Sequence, residues 1–572
     1  MTYVPAPDPN GGAALVAALE RNGVDVVFGI PGVHNLEIYR HLSKSAIAHV
    51  AVRHEQAAAY AADGYARSSG RPGVCLTTSG PGITNACTGA ATAYADSIPV
   101  LLCSPGPPIG AEGLDLGLLH EMKDEHGHLE SLVTASVRPS SPEEIGEVID
   151  EVFHGWRRAR RRPVHVELPI DVIEGSWTLA VGARGRPRSA ETERLRSIFD
   201  ASAPPAGDQE PAEALQHAAQ LLSSSCRPLL VLGGGARGAF RSMQVLAERL
   251  GALVVTTVNG KGTVPEHHPL SLGASIRLNG TRQLFESADV LLVIGSELGD
   301  SDLWDNPIHT RASVVRVDVD PHQLRKNLDA TVTLCMDAGA AAEALLARLG
   351  QEDGAVAQEG PSGSVPPHRS RPKTWAGTAV KMRALLREEA LVDGAVYEMV
   401  NRALSEALPQ QTIVAGDSAQ VSYFGTVHFW PMDRPGRFLY PAGYATLGYG
   451  LPSAIGAMGA CRGAPVVVLV GDGGFLFSVQ DLLTAVEQRL ALPVVIVDNH
   501  GYAEIRQGME KRGIEPIAVD RPAVDFAALS RAFGGRGHAV KSVDELCTRA
   551  VEALAADGPT VLSIDVSGGS PR

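Results

Sequence analysis

VVVLVGDGGFLFSVQDLLTAVEQRLALPVVIVDNHGYAEI, residues 466–505, holds two apolar runs separated by a helical stretch. Each run is a continuous series of valine, isoleucine and leucine that ends in a polar turn, GDGG at 471–474 and DNHG at 498–501. Such runs suit strands buried on both faces, as in a parallel sheet with helical crossovers. A crossover returns the chain to a parallel neighbour, so both turns lie at one sheet edge. Ser478 and Asp481 have the spacing of a capping box at the start of the intervening helix, 478–490. Asp472 and Asn499 then stand at neighbouring strand tips. Two oxygen donors there suit a hard cation such as Mg²⁺, which takes a few protein oxygens beside phosphate. Gly473 and Gly474 let the backbone approach a diphosphate and offer N–H donors to it.

The same alternation of strand and helix recurs through all 572 residues. VDVVFGIPG (24–32) and GVCLTTSGPG (73–82) lie early, RPLLVLGGG (227–235) and VLLVIGSELG (290–299) in the middle. Two stretches rich in Pro, Gly and charge, 185–210 and 350–374, read as linkers. The expected architecture is therefore α/β, with three doubly wound parallel-sheet domains at 1–184, 211–349 and 375–572. In such sheets ligands gather beyond the carboxyl ends of the strands, where these glycines sit.

A net charge of −14 argues against nucleic acid or an anionic membrane as partner. The basic run WRRARRRP (156–163) precedes the apolar VHVELP and fits a helix C-terminus, which favours cations. Seven cysteines without a CxxC pair suit reduced thiols in a cytoplasmic protein. Neither a signal-like N-terminus nor an apolar run of membrane-spanning length is found.

The GDG–Asn499 pairing resembles the diphosphate-binding signature of thiamine-diphosphate enzymes. The whole chain resembles their branch containing acetolactate synthase, benzoylformate decarboxylase and related 2-oxo acid decarboxylases. The resemblance implies pyrimidine-binding, central and diphosphate-binding domains in that order. It implies that Asp472, Asn499 and the carbonyl of Gly501 hold Mg²⁺, and that Gly473 and Gly474 lie against the diphosphate. GDSAQ (416–420) matches the diphosphate loop, with Ser418, Ala419 and Gln420 as contacts. Within YATLGYGLPSAIGA (444–457), Leu447 matches the residue that bends the cofactor. Ala445 matches the one whose carbonyl accepts from the aminopyrimidine.

VRHEQAAAYAADGYAR (52–67) matches the segment bearing the family's glutamate, so Glu55 is expected to share a proton with N1′ of the pyrimidine. FGIPGVHNLEIY (28–39) and TSGPGITNACTGAATAYADSIPV (78–100) match two further cleft loops, with Pro31 and Asn85 as cofactor contacts. His34 and His120 fall near positions used for substrate, as does Val33. The cluster His120, Glu121, Asp124, Glu125, His126 and His128 reads as a solvated face rather than a metal site.

The implied function is thiamine-diphosphate-dependent decarboxylation of a 2-oxo acid, ending in an aldehyde or in ligation to a second carbonyl. Acetolactate synthase is the alternative enzyme, and a non-catalytic scaffold or regulator is the alternative of another class. The implied assembly is a homodimer or homotetramer with sites between subunits. FAD is not expected, because GSELGDSDLWDN (295–306) lacks the Arg and Phe of the flavin motif, and GGGARG (233–238) fits a plain strand-end turn. GIPGVHNLEIY and LLHEMKDE look closer to decarboxylases of 5-guanidino-2-oxopentanoate, and Glu504 is a candidate partner for a cationic substrate end.

Overall fold

The structure, a computed structural model, describes residues 8–178, 189–203, 210–304, 306–358 and 375–568. Three parallel sheets are present, as the three sets of apolar runs predict. The chain divides into two compact units. Among the described residues, one takes in those within 8–201, 411–419 and 444–568 and contains two of the sheets; the other takes in those within 202–410 and 420–443.

In the first unit the N-terminal sheet runs, edge to edge, Ala48–Ala51, Val26–Gly29, Gly73–Leu76, Val100–Gly106, Val164–Pro169 and Ala135–Val137. Its C-terminal sheet carries Ile413–Gly416, Val466–Gly471, Pro493–Asp498, Thr560–Asp565 and Arg536–Val540 in that order. Val466–Gly471 and Pro493–Asp498 pair in parallel, with Gly471 opposite Val497, so the two polar turns are adjacent.

Helix Glu55–Ser69 packs on helix Gly450–Ala460 through backbone contact. A Cβ on Gly64 would stand 2.2 Å from the Ser453 carbonyl oxygen, and one on Gly456 would stand 1.9 Å from that of Ala61. Only glycine permits that approach. Polar groups lock the contact: Asp63 pairs with Arg67 and accepts from the Tyr449 hydroxyl, all three being buried.

The second unit holds the central sheet, in the order Val332–Cys335, Ser313–Asp318, Val290–Ile294, Pro228–Leu232 and Leu253–Thr256. At its strand ends the two glycine turns fill each other's space. Gly235 N–H donates to the Gly295 carbonyl at 3.0 Å, and a Cβ on Gly233 would lie 2.2 Å from that oxygen. GGGARG is thus a strand-end turn packed on its neighbour.

Three local expectations need correction. The crossover 478–490 is not one capped helix: Val479–Asp481 is a 3₁₀ turn, Leu482–Glu487 is helical, and Ser478 makes no cap. Asp481 instead accepts from Arg53 N–H at 3.1 Å and the Thr484 hydroxyl at 3.0 Å, a pairing across sequence that no local pattern announces. The stretch 185–210 contains helix Ala190–Ala201, whose Leu195 and Phe199, one turn apart, are fully buried. Phe199 lies over Gly155 of helix Pro142–Arg158, where a Cβ would come within 2.1 Å of its ring. Helix Ala338–Gln358 likewise runs past 350, and the rest of both expected linkers lies outside the described residues.

Candidate active site

Asp472 opens the short helix Asp472–Phe475 directly after its strand and is 1% exposed. One terminal atom of the Asn499 amide lies 3.2 Å from Asp472 Oδ1 and 2.9 Å from the Gly501 carbonyl oxygen. With nitrogen in that place the amide donates to both. With oxygen there, three oxygens converge as a hard cation requires. Among the described residues no group of three or more His, Cys, Asp and Glu side chains is placed to hold an ion.

Backbone geometry fixes the Gly501 carbonyl. Gly501 has φ +142, and a Cβ there would meet the Val519 carbonyl oxygen at 2.1 Å. Residues 519–521 run alongside: Tyr502 N–H donates to Val519 O at 2.9 Å and Arg521 N–H to His500 O at 3.2 Å. Gly473 and Gly474 are buried and fill a cradle. A Cβ on Gly474 would meet Asp417 Oδ2 at 2.5 Å, and one on Gly473 the Tyr502 ring at 2.8 Å. Burial raises the Asp472 carboxyl above its ordinary range, while Arg521 pulls the other way through a 2.7 Å bond to Oδ2.

Asp417 anchors the segment that follows Ala445. It is fully buried and accepts from Gly450 N–H at 2.5 Å and Gly448 N–H at 3.2 Å. Burial pushes its carboxyl up to about 6, against those backbone donors. Ser418 and Ala419 follow it, half-buried, with Ser418 N–H on the Thr446 carbonyl at 3.4 Å. Gln420 falls in the second unit, where its Oε1 accepts from the Tyr397 hydroxyl at 2.7 Å. Ala445 is exposed and adopts φ +51, a left-handed geometry that is costly for a residue with a Cβ. Leu447 is half-buried two residues on.

Glu55 is the first residue of its helix, 9% exposed, and its Oε2 accepts from Asn85 Nδ2 at 3.0 Å. Asn85 is itself exposed on helix Pro81–Ala95. From the same helix start, buried Ser79 joins the two candidate histidines. His34 Nδ1 lies 2.6 Å from Ser79 Oγ, and His120 Nδ1 lies 3.2 Å from it. Their rings meet edge to face, 5.2 Å between centroids. Burial, then His120, lowers the His34 pKa. His120 has φ +63 and its carbonyl oxygen sits where a Cβ on Gly80 would be, 2.6 Å away. Pro31 and Val33 are exposed beside His34, and Asn35 ties their loop to the next by donating to Thr77 O at 3.0 Å. Glu504 is exposed in the first turn of helix Ala503–Lys511.

The acidic stretch after His120 is not uniformly solvated, which corrects the expectation of a solvated face. Glu125 is buried, takes a 2.7 Å bond from Ser104, and is pushed up to about 8 by burial and then by Glu167. The basic run is structural, as expected of a helix end: Arg158 pairs with Glu151 and Asp200, and Arg162 stacks 4.0 Å over Tyr94.

Family models of the thiamine pyrophosphate enzymes match the chain in three parts. They are the N-terminal TPP binding domain over residues 9–131, the central domain over 215–345 and the C-terminal TPP binding domain over 419–564. The chain belongs to this family. Among curated relatives, a probable 2-ketoarginine decarboxylase of Pseudomonas aeruginosa is 38% identical, across 94% of this chain and 90% of its own length. A probable acetolactate synthase large subunit of Methanocaldococcus jannaschii is 32% identical, covering 97% and 91%. Acetolactate synthase isozyme 2 large subunit of Escherichia coli is 30% identical, covering 97% and 95%.

For this thiamine pyrophosphate enzyme, sequence reasoning singled out neither Ser79, Asp417 nor Arg521. Asp417 lies inside the quoted GDSAQ, yet its importance comes from donors 31 and 33 residues away. Arg521 carries no local signal at all. No helix among the described residues is long and apolar enough to cross a membrane.

Proposed function

We propose that this chain, with thiamine diphosphate and Mg²⁺ bound, removes CO₂ from a 2-oxo acid and releases an aldehyde. The favoured substrate is 5-guanidino-2-oxopentanoate, also called 2-ketoarginine. The convergence of Asp472 Oδ1, the Asn499 amide and the Gly501 carbonyl carries the cofactor part, because with the amide oxygen turned inward it offers three oxygens to a hard cation. The substrate part rests on the 38% identity to a probable 2-ketoarginine decarboxylase.

The cofactor supplies the carbon nucleophile and the electron sink for loss of CO₂. Asp472, Asn499 and Gly501 would hold the cation, and Gly473, Gly474, Ser418 and Ala419 would border the diphosphate. Ala445 would present its carbonyl to the aminopyrimidine, with Leu447 as the apolar wedge and Pro31 as a further contact. Glu55, oriented by Asn85, would exchange a proton with the pyrimidine nitrogen. His34 and His120, linked through Ser79, deliver a proton to the departing product. We place the working unit as a cytoplasmic homodimer or homotetramer in which the Glu55 half of one subunit faces the Asp472 half of another, and we keep the three-domain division above.

A second reading, acetolactate synthesis, is favoured by the 30–32% identity to acetolactate synthase subunits over nearly the whole chain. One experiment separates them: a panel of pyruvate, aromatic and guanidino 2-oxo acids, with products identified by mass and an absorbance scan of the purified protein. Aldehyde and CO₂ from the guanidino acid, dependent on added thiamine diphosphate, support the first reading. Acetolactate from pyruvate with a flavin spectrum replaces it with the second, and no CO₂ from any acid overturns both.

A further inference from the structure

The geometry points to Arg521 as a positioning residue that orients the Asp472 carboxylate for its cation. This rests on the reading of Asp472 as a metal ligand. The guanidinium is pinned on several sides and is 9% exposed. Nε donates to Asp472 Oδ2 at 2.7 Å, Nη2 to Asp498 Oδ1 at 2.7 Å and Nη1 to the Pro522 carbonyl at 2.6 Å. The Phe526 ring lies under it, 5.1 Å from centroid to Cζ.

The consequence concerns which oxygen remains. Arg521 engages Oδ2 alone, while Oδ1 faces the Asn499 amide and the Gly501 loop. A carboxylate free to rotate can offer either oxygen or both; a rigid fork anchored on a second carboxylate removes that freedom. Asp498 takes the other arm of the guanidinium, so Arg521 is fixed from both sides and cannot swing to the second oxygen of Asp472. The same residue also acts through its backbone, because its N–H holds the His500 carbonyl next to the Gly501 donor. One residue thereby sets two of the three oxygens.

A bare cation beside a metal site repels the metal, so the sign of its removal is diagnostic. Mn²⁺ titration followed by electron paramagnetic resonance, with thiamine diphosphate present and no substrate, reads metal affinity directly. Arg521→Gln is expected to weaken Mn²⁺ binding by about 10- to 100-fold, the usual cost of losing a residue that orients a metal ligand. Arg521→Lys keeps the charge but loses the fork, and is expected to fall between the two. Circular dichroism of the metal-free proteins checks the fold; should Arg521→Gln not fold, Arg521→Lys against wild type carries the test. Unchanged or tighter Mn²⁺ binding in the folded variants overturns the inference. Wild-type protein that binds no Mn²⁺ overturns the metal-site reading itself, and the inference with it.

Discussion

Glu55 and Asp472 are two buried carboxyls, each the first residue of a helix that follows a parallel strand, yet their surroundings differ in kind. Glu55 meets a neutral amide, Asn85, and is followed by the buried apolar run Ala57, Ala58, Ala59 and Tyr60. Asp472 meets a guanidinium and faces the Asn499 amide, which also reaches the Gly501 carbonyl. A carboxyl with one neutral donor keeps its other oxygen available to a further partner; one pinned by a guanidinium has its remaining oxygen aimed in a fixed direction. Two acids with the same local secondary structure thus receive different tasks from their neighbours.

The largest expected effect tests the first half of that contrast. Glu55→Gln should leave cofactor binding intact while CO₂ release falls by about 10²- to 10⁴-fold, the usual worth of a positioned acid–base group. Exchange of the cofactor's C2 proton, followed by NMR, should slow in parallel; normal exchange would remove Glu55 from proton transfer. Asp472→Asn tests the other half. Calorimetry should show cofactor affinity dropping by roughly 10-fold or more and no longer responding to EDTA, since a charged ligand is gone. Retained Mg²⁺ dependence would end the assignment.

Stability separates the shared scaffold from the two sites. Gly456→Val forces a side chain into the Ala61 carbonyl and should destabilise the first unit by about 1–3 kcal/mol in denaturant unfolding, the range for overpacking. Glu125 supplies a pH test. Its folded carboxyl is raised from 4.5 to about 8, so the folded state binds the extra proton between those values. Stability therefore falls as pH rises through that window and levels off above it. Glu125→Gln has no such loss, and its unfolding free energy should gain on wild type from pH 5 to pH 8.5, by an amount on the order of 4 kcal/mol, read by denaturant unfolding at each pH. A constant difference between the two curves would mean that Glu125 is ionised in the fold. The smallest effect belongs to the exposed Glu504: Glu504→Gln should raise KM for a guanidino acid about 2- to 5-fold and leave pyruvate unaffected, as an exposed ion pair allows.

Much of this was legible before any coordinates. Continuous apolar runs such as VVVLV and PVVIV have only one economical use, a strand covered on both faces, so three parallel sheets follow from composition and spacing. Glycines beside Asp472 and Asn499 marked the strand tips for the same reason. The crossover 478–490 misled because a serine three residues before an aspartate fits a cap equally well whether or not it makes one; Asp481 was taken by Arg53 N–H instead. The helix Ala190–Ala201 was hidden by its arginines and glutamates, which solvate one face while Leu195 and Phe199 bury the other.

Local pattern determined where strands, turns and the chemical residue types fall, because strand burial and glycine turns are governed by near neighbours in the chain. Tertiary structure alone decided which oxygen of Asp472 is engaged, that Ser79 joins two histidines, and that Asp417 gathers N–H groups from beyond residue 447. Hydrogen bonds and charge pairs act over about 3 Å in space whatever the separation in sequence, and so leave no periodic trace in it.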